Sequence, residues 1–304
     1  METEKKRVIA LGFFDGVHRG HAALLRETTR VAKKLGVSPA VVTFDVHPEN
    51  LIMGQPVHLL NSTAERADLM RRLFGIDEVI FAHFDYRMMK MPWETFLTDF
   101  LIRQCGAVYL VAGHDYHFGY KGEGNPVRLQ EKCAQLDIGC SIIQKVELDG
   151  ATVSSSYIRT LVAQGEMERA VTFLGHPHSL IGQVVHGRQL GQSIGFPTIN
   201  LKTSGEVLLP RHGVYVTRVF FPDGTSYPTV TNVGVRPTVE EGGSIRIEGF
   251  LLGFSGNVYE ETVRMEFYKF LRPERKFASL DDLAAQIAND VNSTKRYFES
   301  AAGM

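Results

Sequence analysis

The sequence predicts an α/β, doubly wound, Rossmann-like domain over residues 1–175, then a small antiparallel β-barrel with a C-terminal helix over residues 180–304. Three observations predict it. Apolar β-prone runs alternate with helical patterns through the first half. From Ser179 onward the rhythm changes to short β-prone runs separated by Gly, Pro and Asp turns. A chain of 304 residues is also long enough for about two domains. With 44% hydrophobic and 22% charged residues the composition is that of a soluble protein.

The elements follow in order. Arg7–Phe14 is an apolar strand, and the next helix carries Leu24, Leu25, Val31, Ala32 and Leu35 at helical spacing. Pro39–Phe44 reads as a buried strand. Ser62-Thr-Ala-Glu65 is a capping box that opens a helix with Leu69, Met70, Leu73 and Phe74 along one side. A strand over Glu78–Phe84, a helix started by Pro92 and a strand over Ala107–Ala112 continue the alternation, followed by a β-like run from Ser141 to Leu148. Residues 157–174 read as two short helices divided by Gly165, and Gly175 ends them. Five β-prone runs follow, Ile181–Val185, Gly213–Phe221, Thr229–Val233, Ile245–Phe254 and Thr262–Leu271, before a helix over Ser279–Phe298.

The totals narrow the function. A net charge of −1 argues against bulk nucleic-acid binding and favours small phosphorylated ligands held locally. Three cysteines at positions 105, 133 and 140 lack zinc-type spacing and fit reduced thiols in a cytoplasmic protein. The opening apolar run is too short for a signal-peptide core or a membrane span.

Chemistry concentrates in a few stretches. Gly12-Phe-Phe-Asp-Gly-Val-His-Arg-Gly-His21 closes the first strand and opens the first helix, a place suited to an anion. Its glycines at 12, 16 and 20 would let a phosphate chain approach the backbone. If His18 and His21 both lie on the first helical turn, they share one face and can donate to the same phosphate. The stretch lacks the Glu of a His-Glu-x-x-His helix and has no Cys or third His beside it, which disfavours zinc. Doubly wound sheets bind ligands beyond their strands' carboxyl ends, which groups this motif with the loops after Phe44 and Ala112. The latter, Gly113–Gly119, should be a mobile loop. Ser155, Ser156 and Arg159 at a helix start are, by residue type, a cap or a second phosphate site. In the second half, Gly187, Gly191 and Gly195 precede Thr198 and Asn200, which is either a glycine-rich β-turn or a phosphate loop whose two hard oxygens suit Mg²⁺.

Gly12–His21 meets every fixed position of the Gly-x-Phe-Asp-Gly-x-His-x-Gly-His signature that it resembles. That signature belongs to the adenylyltransferase half of prokaryotic bifunctional FAD synthases, within the wider His-x-Gly-His nucleotidyltransferase group. Val153–Arg159 resembles the family's Ile-Ser-Ser-Thr-x-Ile-Arg element. Thr43–Pro48 resembles Thr-Phe-x-Pro-His-Pro, and Gly113–Gly119 resembles the flavin-site loop Gly-x-Asp-Phe-x-Phe-Gly, with Tyr116 for Phe and His117 where Arg is frequent. Gly195–Asn200 resembles the riboflavin kinase motif Gly-Phe/Tyr-Pro-Thr-Ala-Asn with Ile199 for Ala, and Thr231–Thr238 and Phe270–Phe277 resemble two further kinase segments.

The resemblance implies two activities, phosphorylation of riboflavin to FMN and adenylylation of FMN to FAD with release of pyrophosphate. ATP is the co-substrate, with Mg²⁺ as cofactor and riboflavin, FMN and FAD as substrates or products. It implies Gly12, Phe13, Phe14, Gly16, His18, His21, Ser155, Ser156 and Arg159 as ATP ligands of the adenylyltransferase, and Asp115 and Phe118 as flavin contacts. In the kinase it implies Gly187, Gly191, Gly195, Thr198 and Asn200 at the phosphates, the last two also at the metal. Glu248, in Ile247–Leu251, becomes the general base for the flavin 5′-hydroxyl, beside Gly249 and Gly253 where Thr and Asp are usual. An alternative is an adenylyltransferase alone, with a silent or flavin-sensing barrel. The expected partners are these small molecules, with no nucleic acid and no membrane, for a monomer or weak homo-oligomer.

Overall fold

The computed structural model describes residues 5–54, 56–186, 198–235 and 245–302. It divides into two compact units, Met1–Ser155 and Ser156–Met304.

The first unit is built on a parallel sheet of β1 (Arg7–Leu11), β2 (Ser38–Phe44), β3 (Glu78–Ala82), β4 (Ala107–Gly113) and β5 (Gly139–Ile143), in the order β3-β2-β1-β4-β5. That order reverses between β1 and β4, and the crevice at such a switch point is where these sheets take ligands. Helices α1 (Arg19–Leu35), α2 (Pro48–Met53), α3 (Thr63–Phe74), α4 (Tyr86–Met89), α5 (Trp93–Thr95) and α6 (Pro126–Gln135) lie in the connections. One core packs Val8, Ala10, Leu25 and Val31 with Met70, and the other packs Ile9, Leu11 and Leu110 with Leu97 and Leu129. Leu35, expected on the apolar side of α1, is 48% exposed at the helix's last position, beyond the reach of the sheet.

The capping box forms as predicted: Ser62 Oγ accepts from Glu65 N–H, and the Glu65 carboxylate accepts from Ser62 N–H. The helix expected after Pro92 does start there, but Phe96–Gln104 is a π-helix. The loop expected to be mobile is tied by backbone bonds. Phe118 and Gly124 exchange both N–H···O contacts, and Tyr120 N–H donates to the Met91 carbonyl at 2.7 Å.

In the second unit β8 (His178–Val185), β9 (Thr198–Thr203), β10 (Gly213–Phe220), β11 (Ser226–Val235), β12 (Ile245–Leu251) and β13 (Thr262–Arg272) close into an antiparallel barrel of order β10-β11-β12-β9-β8-β13. Along the chain from β5 to β8 come the short strands β6 (Glu147–Leu148) and β7 (Ala151–Thr152) and the helices α7 (Ser155–Gln164) and α8 (Met167–Leu174). A positive φ of 80° at Gly165 makes the break between α7 and α8. α8 packs on β8 and β13, with Glu168 paired to Lys269 at 2.8 Å. The C-terminal helix α9 (Leu280–Ala302) is opened by Ser279, whose hydroxyl accepts from Asp282 N–H. Strand β9, which is not among the five β-prone runs expected from the sequence, carries Thr198 and Asn200.

Candidate active sites

The loop after β1 is strained where the signature lies. Phe14 and Val17 sit at φ 59° and 41°, a region that costs a side-chain-bearing residue about 1–3 kcal/mol, and both are buried. Gly16 at φ 82° takes the turn between them without that cost. The other two glycines serve the protein's own rings. A Cβ on Gly12 would lie 3.1 Å from the Phe14 ring, and one on Gly20 would lie 3.0 Å from the His18 ring.

His18 is not on the first helical turn. It is the N-cap of α1, with extended backbone, and its Nδ1 accepts the His21 N–H at 3.2 Å. An Nδ1 that accepts leaves the neutral ring's proton on Nε2, so His18 presents one defined donor. The His18 and His21 rings stack at 3.6 Å and 13°, with Phe14 edge-on to His21 at 5.0 Å. His21 Nδ1 is enclosed and has no protein partner. Burial, then the neighbouring His18 and Arg66, hold the His21 pKa well below its usual value, so the ring is neutral at pH 7.

Two buried groups fix this loop to its surroundings. Asp15 accepts the Leu60 N–H at 2.8 Å and the Asn61 N–H at 3.3 Å, while its own carbonyl accepts from Ser155 Oγ at 2.9 Å. Arg66 of α3, wholly buried, donates to the carbonyls of Phe13 at 2.7 Å and Phe44 at 3.1 Å and to Thr43 Oγ1. Its guanidinium lies 4.3 Å from the Phe13 ring centre. Burial pulls its pKa down to about 10, against the pull of Asp15 and Asp45, and it stays a cation. Sequence reasoning missed Arg66. Its only signal is a basic residue one position after the capping-box Glu, where charge is expected to face water.

A cavity of about 510 Å³ opens in the same unit, lined by Phe44, Phe84, Met88, Phe96, Tyr116 and Phe118 among others. Its size and apolar walls suit a flat aromatic ligand. Phe118, expected as a flavin contact, is among the residues that line it. Asp115 is not, with 81% of its side chain in solvent. Ser156 is exposed and Arg159 half-buried on α7.

The second site is a polar row on the outer face of the barrel. Glu248 of β12 pairs in register with Asn200 of β9 on one side and Asn232 of β11 on the other. Asn232 Nδ2 donates to Glu274 at 2.8 Å. Arg246, two residues from Glu248 and so on the same face, places Nε 2.9 Å from Glu248 Oε1 and 3.2 Å from Asn200 Oδ1. Burial raises the Glu248 pKa, Arg246 opposes that and Glu274 adds to it. Ile199 and Gly249 pair across the same two strands but face the interior, where Ile199 is 7% exposed. A Cβ on Gly249 would lie 2.9 Å from Thr229 Cγ2 and 3.2 Å from Met265 Cε. Neither departure therefore touches the polar row. Gly253 is a turn glycine at φ 75° with open space beside it. Gly187, Gly191 and Gly195 lie outside the described residues, as do residues 236–238 of the Thr231–Thr238 segment.

A Rossmann-order sheet with paired histidines at its switch point, followed by a closed barrel bearing a polar outer row around Glu248, defines a two-part nucleotide-dependent transferase. The FAD synthetase family matches residues 1–157, and the riboflavin kinase family matches residues 174–298. The chain belongs to the bifunctional riboflavin kinase/FMN adenylyltransferase family. It is 33% identical over 298 residues to the member from Listeria monocytogenes, covering 97% of this chain and 94% of that one. Identity to the Haemophilus influenzae member is 34% over 297 residues, covering 96% and 94%. A crystal structure described as a macrolide-efflux protein from Streptococcus pneumoniae superposes with a TM-score of 0.86 at 30% identity, covering 97% of this chain and 95% of that one. No helix among the described residues is long and apolar enough to cross a membrane.

Proposed function

We propose that the chain makes FAD in two steps, phosphorylating riboflavin in the barrel and adenylylating FMN in the α/β unit. The observation that carries the reading is the stacked His18–His21 pair at the switch point, in the same unit as an apolar cavity sized for an aromatic ring system. In adenylylation an FMN phosphate oxygen attacks the α-phosphorus of ATP, and the bond to the bridging oxygen breaks as pyrophosphate leaves with the electron pair. The nucleophile is already an anion, so the protein orients and stabilises charge and needs no covalent intermediate. His18 Nε2–H and the neutral His21 supply donors. The loop backbone from Gly12 through Phe13 and Phe14 to Gly16, together with Ser155, shapes the nucleotide site, and the family motif adds Ser156 and Arg159 as nucleotide ligands. Phe118 and its aromatic neighbours take the flavin ring. Asp115 stays outside that contact.

In the barrel the riboflavin 5′-hydroxyl oxygen attacks the γ-phosphorus, ADP leaves with the electron pair, and Glu248 takes the hydroxyl proton. Thr198 and Asn200 stand two apart on one strand and offer hard oxygens beside Glu248, a donor set that fits Mg²⁺. Hard oxygen ligands of this kind commonly hold Mg²⁺ together with substrate phosphates. Bound there, Mg²⁺ would neutralise phosphate charge. The reading places the enzyme in the cytoplasm as a monomer or weak homo-oligomer acting on small molecules, which a net charge of −1 and three free thiols support.

Separate sites make separable defects. His21→Ala should lower FAD formation from FMN by about 100-fold or more and leave FMN formation from riboflavin intact, whereas Glu248→Gln should do the reverse. Chromatographic separation of flavins after incubation with ATP and Mg²⁺ reads both. Equal loss of both activities in either variant would overturn the assignment.

A further inference from the structure

Arg246 belongs to none of the motifs that carry the proposed kinase reading, yet its guanidinium occupies the centre of that site. Nε bridges the Glu248 carboxylate at 2.9 Å and the Asn200 amide oxygen at 3.2 Å. Arg246 pairs in register with Gly234, over which the Glu274 carboxylate lies so closely that a Cβ would meet Oε1 at 2.1 Å. The cation thus stands on a face with carboxylates on two sides, and about a third of its side chain remains open to solvent and to an incoming ligand.

We propose that Arg246 is a catalytic residue of the kinase half, which leaves Glu248 for the γ-phosphate of ATP and stabilises the transferring phosphoryl group. The inference rests on the reading of Glu248 as the base. An attacking oxygen within hydrogen-bond reach of Glu248 and in line with the γ-phosphorus brings the phosphate oxygens to roughly 5–6 Å from that carboxylate, within the span of a guanidinium already at its edge. Catalysis of phosphoryl transfer is almost entirely positioning and charge stabilisation, and a planar fork of donors matches two phosphate oxygens at once. A phosphate carrying more charge than the carboxylate draws the fork away, and Glu248 is left with a free lone pair for the hydroxyl proton. No bond to Arg246 forms or breaks, and its proton stays on the guanidinium.

The test uses the full chain with Arg246→Ala and Arg246→Lys. The expected result for Arg246→Ala is a fall in kcat for FMN formation of about 100-fold, partial recovery on adding a guanidinium salt, and, by calorimetry, a Kd for the γ-phosphate-bearing analogue AMP-PNP weakened about tenfold while that for ADP stays at the parental value. Arg246→Lys should fall between, because it keeps the charge and loses the fork. Two controls report folding: riboflavin fluorescence quenching for the barrel and FAD formation from FMN for the α/β unit, and both should stay at parental levels. A kcat for Arg246→Ala within about threefold of the parent, or above it, would overturn the proposal. So would loss of riboflavin quenching in both variants, which would make Arg246 a structural residue. Failure of the underlying reading shows separately: Glu248→Gln would keep phosphorylating riboflavin while the AMP-PNP affinity and guanidinium rescue of Arg246→Ala still followed the proposal.

Discussion

At the scale of single residues, the His-x-x-His spacing works through a contact that its letters do not display. His18 caps α1 with its ring, and a Cβ at Gly20 would press on that ring at 3.0 Å, so the glycine between the histidines keeps the cap and the stack compatible. Arg66 is the complementary case. It joins the Phe13 and Phe44 carbonyls, and therefore the loops that follow β1 and β2. Arg66→Met should remove the side-chain donor to the part-buried Phe44 carbonyl and leave that of Phe13 with Thr43 Oγ1 alone, cost about 1–3 kcal/mol and sharply lower FAD formation. Arg66→Lys should recover part of the stability and less of the activity, since one ammonium cannot reproduce the fork. Denaturant unfolding and flavin chromatography on the two variants check this, and parental values for Arg66→Met would refute the clamp. The histidines and glycines stand out because their spacing forms a pattern along the chain, whereas Glu248, a solitary acid in a strand, is picked out only by the family resemblance. Arg66 does not stand out, because its partners are carbonyls 22 and 53 residues away, and backbone acceptors leave no trace in sequence.

At the scale of elements, the alternation of strand and helix and the capping box were readable from periodicity, whereas the π-helical form of Phe96–Gln104 was not. Its apolar spacing, with Phe96, Leu97 and Leu101 buried, also satisfies an ordinary helix. The walls of the apolar cavity were hidden for a related reason. Phe44, Phe84 and Met88 come from separate segments that share only the carboxyl end of the sheet. β9 shows how period-2 geometry separates fold from chemistry: Ile199 enters the barrel core while Thr198 and Asn200 stay on the outer row. Ile199→Ala should therefore cost about 2–4 kcal/mol of barrel stability and leave the riboflavin KM within about twofold. Thermal unfolding and initial rates test it, and a large KM change at unchanged stability would contradict the interior placement.

For the whole molecule, α7 and α8 matter most to where the chain can be cut. α8 covers β8 and β13, burying Phe173 and Leu174, and Arg211 N–H donates to the Val162 carbonyl of α7. We expect a fragment of residues 156–304 to melt higher than one of 180–304 by about 5 °C or more, and to phosphorylate riboflavin without making FAD. Equal melting temperatures would show the two helices to be dispensable to the barrel. The barrel's closure also sets an order of events during synthesis. β13 is the last strand to emerge from the ribosome, and it pairs with both β8 and β10. Until Arg272 is out, those two strands keep unpaired edges, and the long loop from β8 to β13 must be closed before any ring exists. The parallel sheet is complete in sequence more than a hundred residues earlier, at Ile143. A nascent chain thus acquires the sheet first, and an interrupted translation product holds the adenylyltransferase's sheet without a closed kinase barrel.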